Sequence, residues 1–146
     1  MKIVLIILMT ISISLSYAQL DGNSAPKDPQ KQVALVFDQD EFEGRFSVMF
    51  HSDENYDYYV IDLTSFNDRF ERVYFMNLAF AESKLVSIDG DINKDQTLFK
   101  AYYTYKEAEI TCLFNELKDK TANAGKEMTS AEKSTWLATN DKFTKK

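Results

Sequence analysis

The spacing of apolar residues changes once along this chain, and that change limits the fold more than any single motif does. Upstream of Lys106, large side chains recur at every second position, the period that sends alternate residues to one face of a strand. Val33, Leu35 and Phe37 share a face; so do Phe46, Val48 and Phe50, opposite Ser47, Met49 and His51. Tyr59, Ile61 and Leu63 alternate with Tyr58, Val60 and Asp62, and Tyr74, Met76, Leu78 and Phe80 keep the same spacing. Val86 with Ile88, and Phe99, Ala101, Tyr103 and Tyr105, complete six strand-like runs separated by polar turns. From Lys106 the period becomes helical. Ile110, Leu113, Phe114 and Leu117 form one stripe, Glu107 and Glu109 open the segment, Lys118 and Lys120 follow the stripe, and Gly125 reads as a terminator. Thr129-Ser-Ala-Glu132 then fits a capping box opening a short helix with Trp136 and Leu137. Strands followed by helices imply an α+β fold: an antiparallel meander of about five or six strands, then two C-terminal helices packed on the sheet.

Two periods compete only between Arg69 and Ala81. The segment also fits a helix capped by Asn67 or Asp68, which would make residues 58–88 a βαβ unit with a parallel pair. Its aromatic and β-branched content, and Asn77 on the apolar face of such a helix, favour the strand.

The amino terminus carries an address. Lys2, an apolar run over residues 3–15 and Ser16-Tyr17-Ala18 have the order of an export signal with its cleavage site, so residues 1–18 read as a signal peptide. Thr10, Ser12 and Ser14 interrupt the run, which is shorter than the ~20 residues of a membrane-crossing helix; the mature form is expected without a membrane span. Gln19 follows the site, so a lipoprotein-type acceptor cysteine is missing there. Residues 19–31 hold both prolines and read as a flexible tether, and residues 32–146 as a single α+β domain. The expected location is outside the cytoplasm, periplasmic or extracellular.

Cys112 is the only cysteine, so no internal disulfide can form and the core must hold the fold alone. That usage suits a bacterial envelope protein better than a small disulfide-rich domain. Eleven Phe and eight Tyr supply the core and exclude a disordered chain. A formal net charge of −6 argues against nucleic acid and anionic lipid as partners.

Motifs that carry chemistry are sparse. Asp89, Asp91, Asn93 and Asp95 place oxygens at alternate positions, as in a calcium loop, but Lys94 and Lys100 stand where such a loop needs Gly and a bidentate Glu. Asp89-Gly-Asp91 after residues 85–88 also resembles the nucleophile strand of haloacid-dehalogenase-type phosphatases. Asn93 stands where that pattern has Thr or Val, and the domain is smaller than theirs. His51 is the only histidine, which excludes multi-histidine metal sites, and its strand-end position implies solvation. Cys112 lies opposite the helical stripe, where it is either covered by the Trp136 helix, the commoner state of a free cysteine, or an exposed thiol.

Adjacent aromatics on a strand point to opposite faces, so Tyr58, Phe75 and Tyr102 are expected on the sheet face away from the helices. Together with Trp136 they are the candidate binding residues. No cofactor is implied. The leading expectation is a non-enzymatic accessory or binding protein contacting an envelope partner. The alternatives are a carrier whose curled sheet holds a small apolar ligand or lipid, and a cation-dependent hydrolase using Asp62, Asp89 and Asp91.

Overall fold

The computed structural model describes residues 42–143. The expected signal peptide (residues 1–18), the expected tether (19–31) and the strand expected at residues 33–37 lie outside the described residues. Strands β1 (Ser47–Ser52) and β2 (Tyr56–Asp62) are followed by a one-turn 3-10 helix, Leu63–Ser65, and helix α1 (Arg69–Ala81). Strands β3 (Leu85–Asp89) and β4 (Gln96–Tyr102) precede helices α2 (Glu107–Glu127) and α3 (Ser130–Asn140). The class is α+β, with an antiparallel sheet of four strands among the described residues.

The order of that sheet is β1-β2-β4-β3, and every neighbouring pair is antiparallel. The expected plain meander is therefore corrected: β2 and β3 run parallel to each other with β4 between them, and α1 makes the crossover.

The strand expected over residues 74–80 is part of α1. Asp68 accepts a hydrogen bond from Glu71 N at 2.9 Å while Glu71 accepts one from Asn67 N at 2.7 Å, so two donors that a helix start leaves unpaired are satisfied locally. Phe70, Val73, Met76 and Ala79 then form a buried stripe at helical spacing. Asn77, which favoured the strand reading, is half-buried; its Nδ2 donates to Val73 O at 2.9 Å and Asn140 O at 3.3 Å. A polar group at that position joins α1 to the end of α3 at no cost in unpaired groups.

Helix α2 begins where the period changes but runs past Gly125. A Cβ at Gly125 would stand 2.5 Å from Glu71 Oε1, so this glycine permits the close approach of α2 to α1 and does not end the helix. The capping box opening α3 is as expected, with Thr129 N donating to Glu132 at 2.7 Å. Trp136 of α3 rests on Phe70 and Tyr74 of α1, with ring centroids 5.3 and 5.2 Å apart. Helix α3 thus meets α1 and leaves the outward face of α2 open. Cys112 on that face is exposed, which decides between the two alternatives in favour of the exposed thiol.

The first face of the sheet carries Tyr59, Ile61, Phe99 and Ala101 into the main core. Phe114 of α2 lies 5.6 Å from the ring of Tyr59 and 5.7 Å from that of Phe99, and Phe75 of α1 meets Phe99 at 6.4 Å. Phe46 stands just before β1 and turns into this core, 5.3 Å from Phe75 and 5.6 Å from Phe66. It is thereby separated from Val48 and Phe50, which the alternation grouped with it and which lie on the opposite face. Each such ring pair adds about 0.5–1.5 kcal/mol beyond the area it buries. Two hydroxyls oppose this, because Ser47 Oγ and Tyr59 Oη are buried without a hydrogen-bond partner among the described residues. Burial accordingly pushes the Tyr59 phenol well above its ordinary pKa.

Candidate functional site

Alternation along β2 and β4 builds the second face of the sheet. Tyr56 pairs with Tyr102, Tyr58 with Lys100 and Val60 with Leu98, and Val86 of β3 pairs with Lys100 on the other side of β4. These residues divide into two halves. Toward one end, Val60 and Leu98 are buried beneath Phe42, with Val48, Phe50 and Ile88 around them. Toward the other, Tyr102 is 45% exposed and Val86 36% exposed.

The open half is ordered by its own contacts. The rings of Tyr56 and Tyr102 lie 5.1 Å apart, tilted by 35°, and Lys100 Nζ stands 4.0 Å from the centroid of Tyr56. Tyr58 is only 7% exposed. Its ring is flanked by His51 at 5.3 Å and Phe50 at 6.3 Å, and its hydroxyl donates to Asp53 Oδ2 at 2.6 Å. Asp53 Oδ1 accepts from Asn55 N and Tyr56 N, each at 2.8 Å, so one carboxylate fixes both the β1–β2 turn and the ring beside it. The Tyr58 hydroxyl, followed by these two backbone donors, holds the Asp53 carboxyl below its usual range. His51 is exposed, in agreement with its strand-end position.

The four expected binding residues do not form one group. Tyr58 and Tyr102 share the second face, one covered and one open. Phe75 was placed there on the strand reading of residues 69–81; as a helical residue it is fully buried in the main core. Trp136 is half-buried against α1. The residues that the sequence reading left out are Lys100, whose spacing from Leu98 and Tyr102 was visible, and Phe42, which sits in one of the polar turns between the strand-like runs.

Asp89, Asp91, Asn93 and Asp95 line the β3–β4 connection. Asp89 Oδ2 pairs with Lys94 Nζ at 2.7 Å, an arrangement that raises the Lys94 pKa, and Asp91 Oδ1 accepts from Asn93 N at 3.1 Å. Arg72 of α1 donates to the carbonyls of Ile92 and Lys94, each at 3.0 Å, and Arg69 donates to Asn93 Oδ1 at 3.1 Å. Basic groups thus hold this loop from inside and from the neighbouring helix. Among the described residues, no group of three or more His, Cys, Asp or Glu side chains is placed to hold a metal ion. Asp62 caps the 3-10 turn, accepting from Thr64 N at 2.9 Å. Cys112 faces an open hollow along α2 with Glu107, Glu116 and Asp119, and its thiol lies 3.6 Å from Glu116 Oε1. No helix among the described residues is long and apolar enough to cross a membrane.

Comparison of the chain with known protein families, with characterised proteins and with solved structures finds no match.

Proposed function

We propose that this is an exported, non-enzymatic accessory or binding protein of the bacterial cell envelope, acting through protein contacts made by the open half of its second sheet face. The observation that carries this reading is the pair Tyr56 and Tyr102 beside Val86: aromatic and aliphatic surface held in fixed geometry, with Lys100 at its centre. Tyrosine suits such a surface because it brings large contact area with few rotatable bonds. Residues 1–18, with the composition of an export signal, support the location.

An apolar carrier is the second class to separate. The rings of Tyr59, Phe75, Phe99 and Phe114 fill the space between sheet and helices, so a small apolar ligand would have to lie on the same second face. The hydrolase reading draws nothing from Asp89, whose carboxylate is paired with Lys94.

Native mass spectrometry of the protein purified gently from its own host, beside a Tyr56→Ser/Tyr102→Ser variant, tests the proposal. A polypeptide that co-purifies with the wild type and is lost from the variant is the expected result. A small added mass on both would make the protein a carrier, and a bare chain in both would remove the contact reading.

A further inference from the structure

Lys100 sets a condition on whatever covers the open half of the second face. It stands on β4, a central strand, directly between Tyr58 of β2 and Val86 of β3. The residue is half-buried, and its Nζ lies 4.0 Å from the centroid of the Tyr56 ring. A ring face attracts the ammonium but brings no counter-charge. The ion pairs of the described residues use Arg45, Arg69, Arg72, Lys94 and Lys133, and none of them reaches Lys100. Asp53, on the adjoining β1–β2 turn, is committed elsewhere: Oδ2 accepts from Tyr58 Oη, and Oδ1 accepts from Asn55 N and Tyr56 N. While the face is open, water solvates the charged head above its packed stem. Once a partner seats on Tyr56, Tyr102 and Val86, that water is excluded, and an ammonium left without a counter-charge becomes costly. A surface that covers these residues must therefore bring an acceptor. A carboxylate meets the ammonium donors with opposite charge and makes the stronger, charge-assisted kind of hydrogen bond.

We infer that the partner is a polypeptide whose contact surface carries an aspartate or glutamate seated on Lys100, within an otherwise neutral or basic surround. The surround follows from the charge about the site. The chain has a formal net charge of −6, and exposed Glu54 lies in the β1–β2 turn. Tyr103 N donates to Asn55 O at 3.1 Å, which ties that turn to the end of β4 and so to the rim of the tyrosine surface. A uniformly acidic partner is repelled by this field, whereas a basic rim is drawn to it. Lys100 then acts as the exception that fixes register: it accepts a lone acid at the centre and rejects a cation there. This inference rests on the proposed function and gives the chemistry of its partner.

Zero-length cross-linking of the protein purified gently from its own host tests it. A water-soluble carbodiimide joins an ammonium to a carboxylate as an amide only where the two groups touch, and the reagent takes up the water that is lost. Peptide mapping should find Lys100 joined to an Asp or Glu of the co-purifying polypeptide. As a second measurement, Lys100→Met keeps the apolar stem and removes the charge, and it should retain about tenfold less of that polypeptide. Lys100→Arg keeps the charge and should retain most of it. Three results would each overturn the inference while leaving the binding reading in place: Lys100 joined only to carboxylates of its own chain, Lys100 unlinked in a complex that Tyr56→Ser/Tyr102→Ser abolishes, or equal retention by Lys100→Met and the wild type. A wild type that carries no polypeptide would remove both.

Discussion

The two faces of the sheet are made from the same strands and nearly the same residue types, yet one is a core and the other is a surface. On the first face Tyr59, Phe99 and Ala101 are fully buried, against rings contributed by two helices. On the second, burial fades along the strands from Val60 and Leu98, beneath Phe42, to an open Tyr102. Composition alone does not separate them. What separates them is the supply of covering groups: α1 and α2 bring stripes of apolar residues to the first face, whereas among the described residues Phe42 alone is seated on the second. An aromatic residue in this protein is therefore structural or available according to its strand parity and its distance from a cover.

That contrast is broken most forcefully at Phe99. Removing a ring that touches Phe75, Phe80 and Phe114 should cost about 3–5 kcal/mol in chemical denaturation. A loss below 1 kcal/mol would mean that the first face is not the organising core. Gly125→Ala probes the same side through the helix contact. Helix propensity favours alanine by about 1 kcal/mol, but the new methyl would meet the Glu71 carboxylate, itself tied to Asn67 N, for an expected net loss of about 1–2 kcal/mol. In a Glu71→Ala background the sign should reverse, and a double-mutant cycle in urea measures the coupling.

On the second face the expectation is opposite in kind. Tyr102→Ala should change stability by less than about 1 kcal/mol, because the ring is nearly half exposed and, among the described residues, stacks on Tyr56 alone. A loss as large as that of Phe99→Ala would abolish the distinction between the faces. The smallest effect belongs to Asp53→Asn. The folded-state pKa of Asp53 is depressed, so the folded protein binds fewer protons there than the unfolded chain. Its contribution is complete above the unfolded carboxylate pKa and is lost as pH falls through the lowered folded value. Melting temperatures across the acid range should show this dependence in the wild type and a weaker one in the variant.

Local periodicity made the strands and the last two helices readable, because each depends on neighbours in sequence. It failed at α1, where Asn77 is accommodated on a half-buried helical face by Val73 O one turn back and by Asn140 O, 63 residues away. It could not supply the sheet order either, because the insertion of β4 between β2 and β3 is decided by long-range pairing. The same division holds for the site. Parity assigned Tyr58 and Tyr102 to one face, whereas Phe75 followed the mistaken strand into the wrong group and Phe42 was hidden among acids. How deeply Tyr58 is sheltered, by His51 and Phe50, was not visible in a one-dimensional pattern.

The central position of β4 has a consequence for how the chain matures. As the polypeptide grows from its amino end, β2 emerges with one side paired to β1 and the other side bare, and β3 emerges with no partner for its inner edge. Both stay open until residue 102 has cleared the ribosome, when a single strand closes the two gaps at once. An unfinished chain is therefore a pair of unsatisfied β-edges in search of a strand, the condition under which nascent proteins aggregate or need a holdase. Synthesis stalled just before β4 should yield the species most dependent on such help.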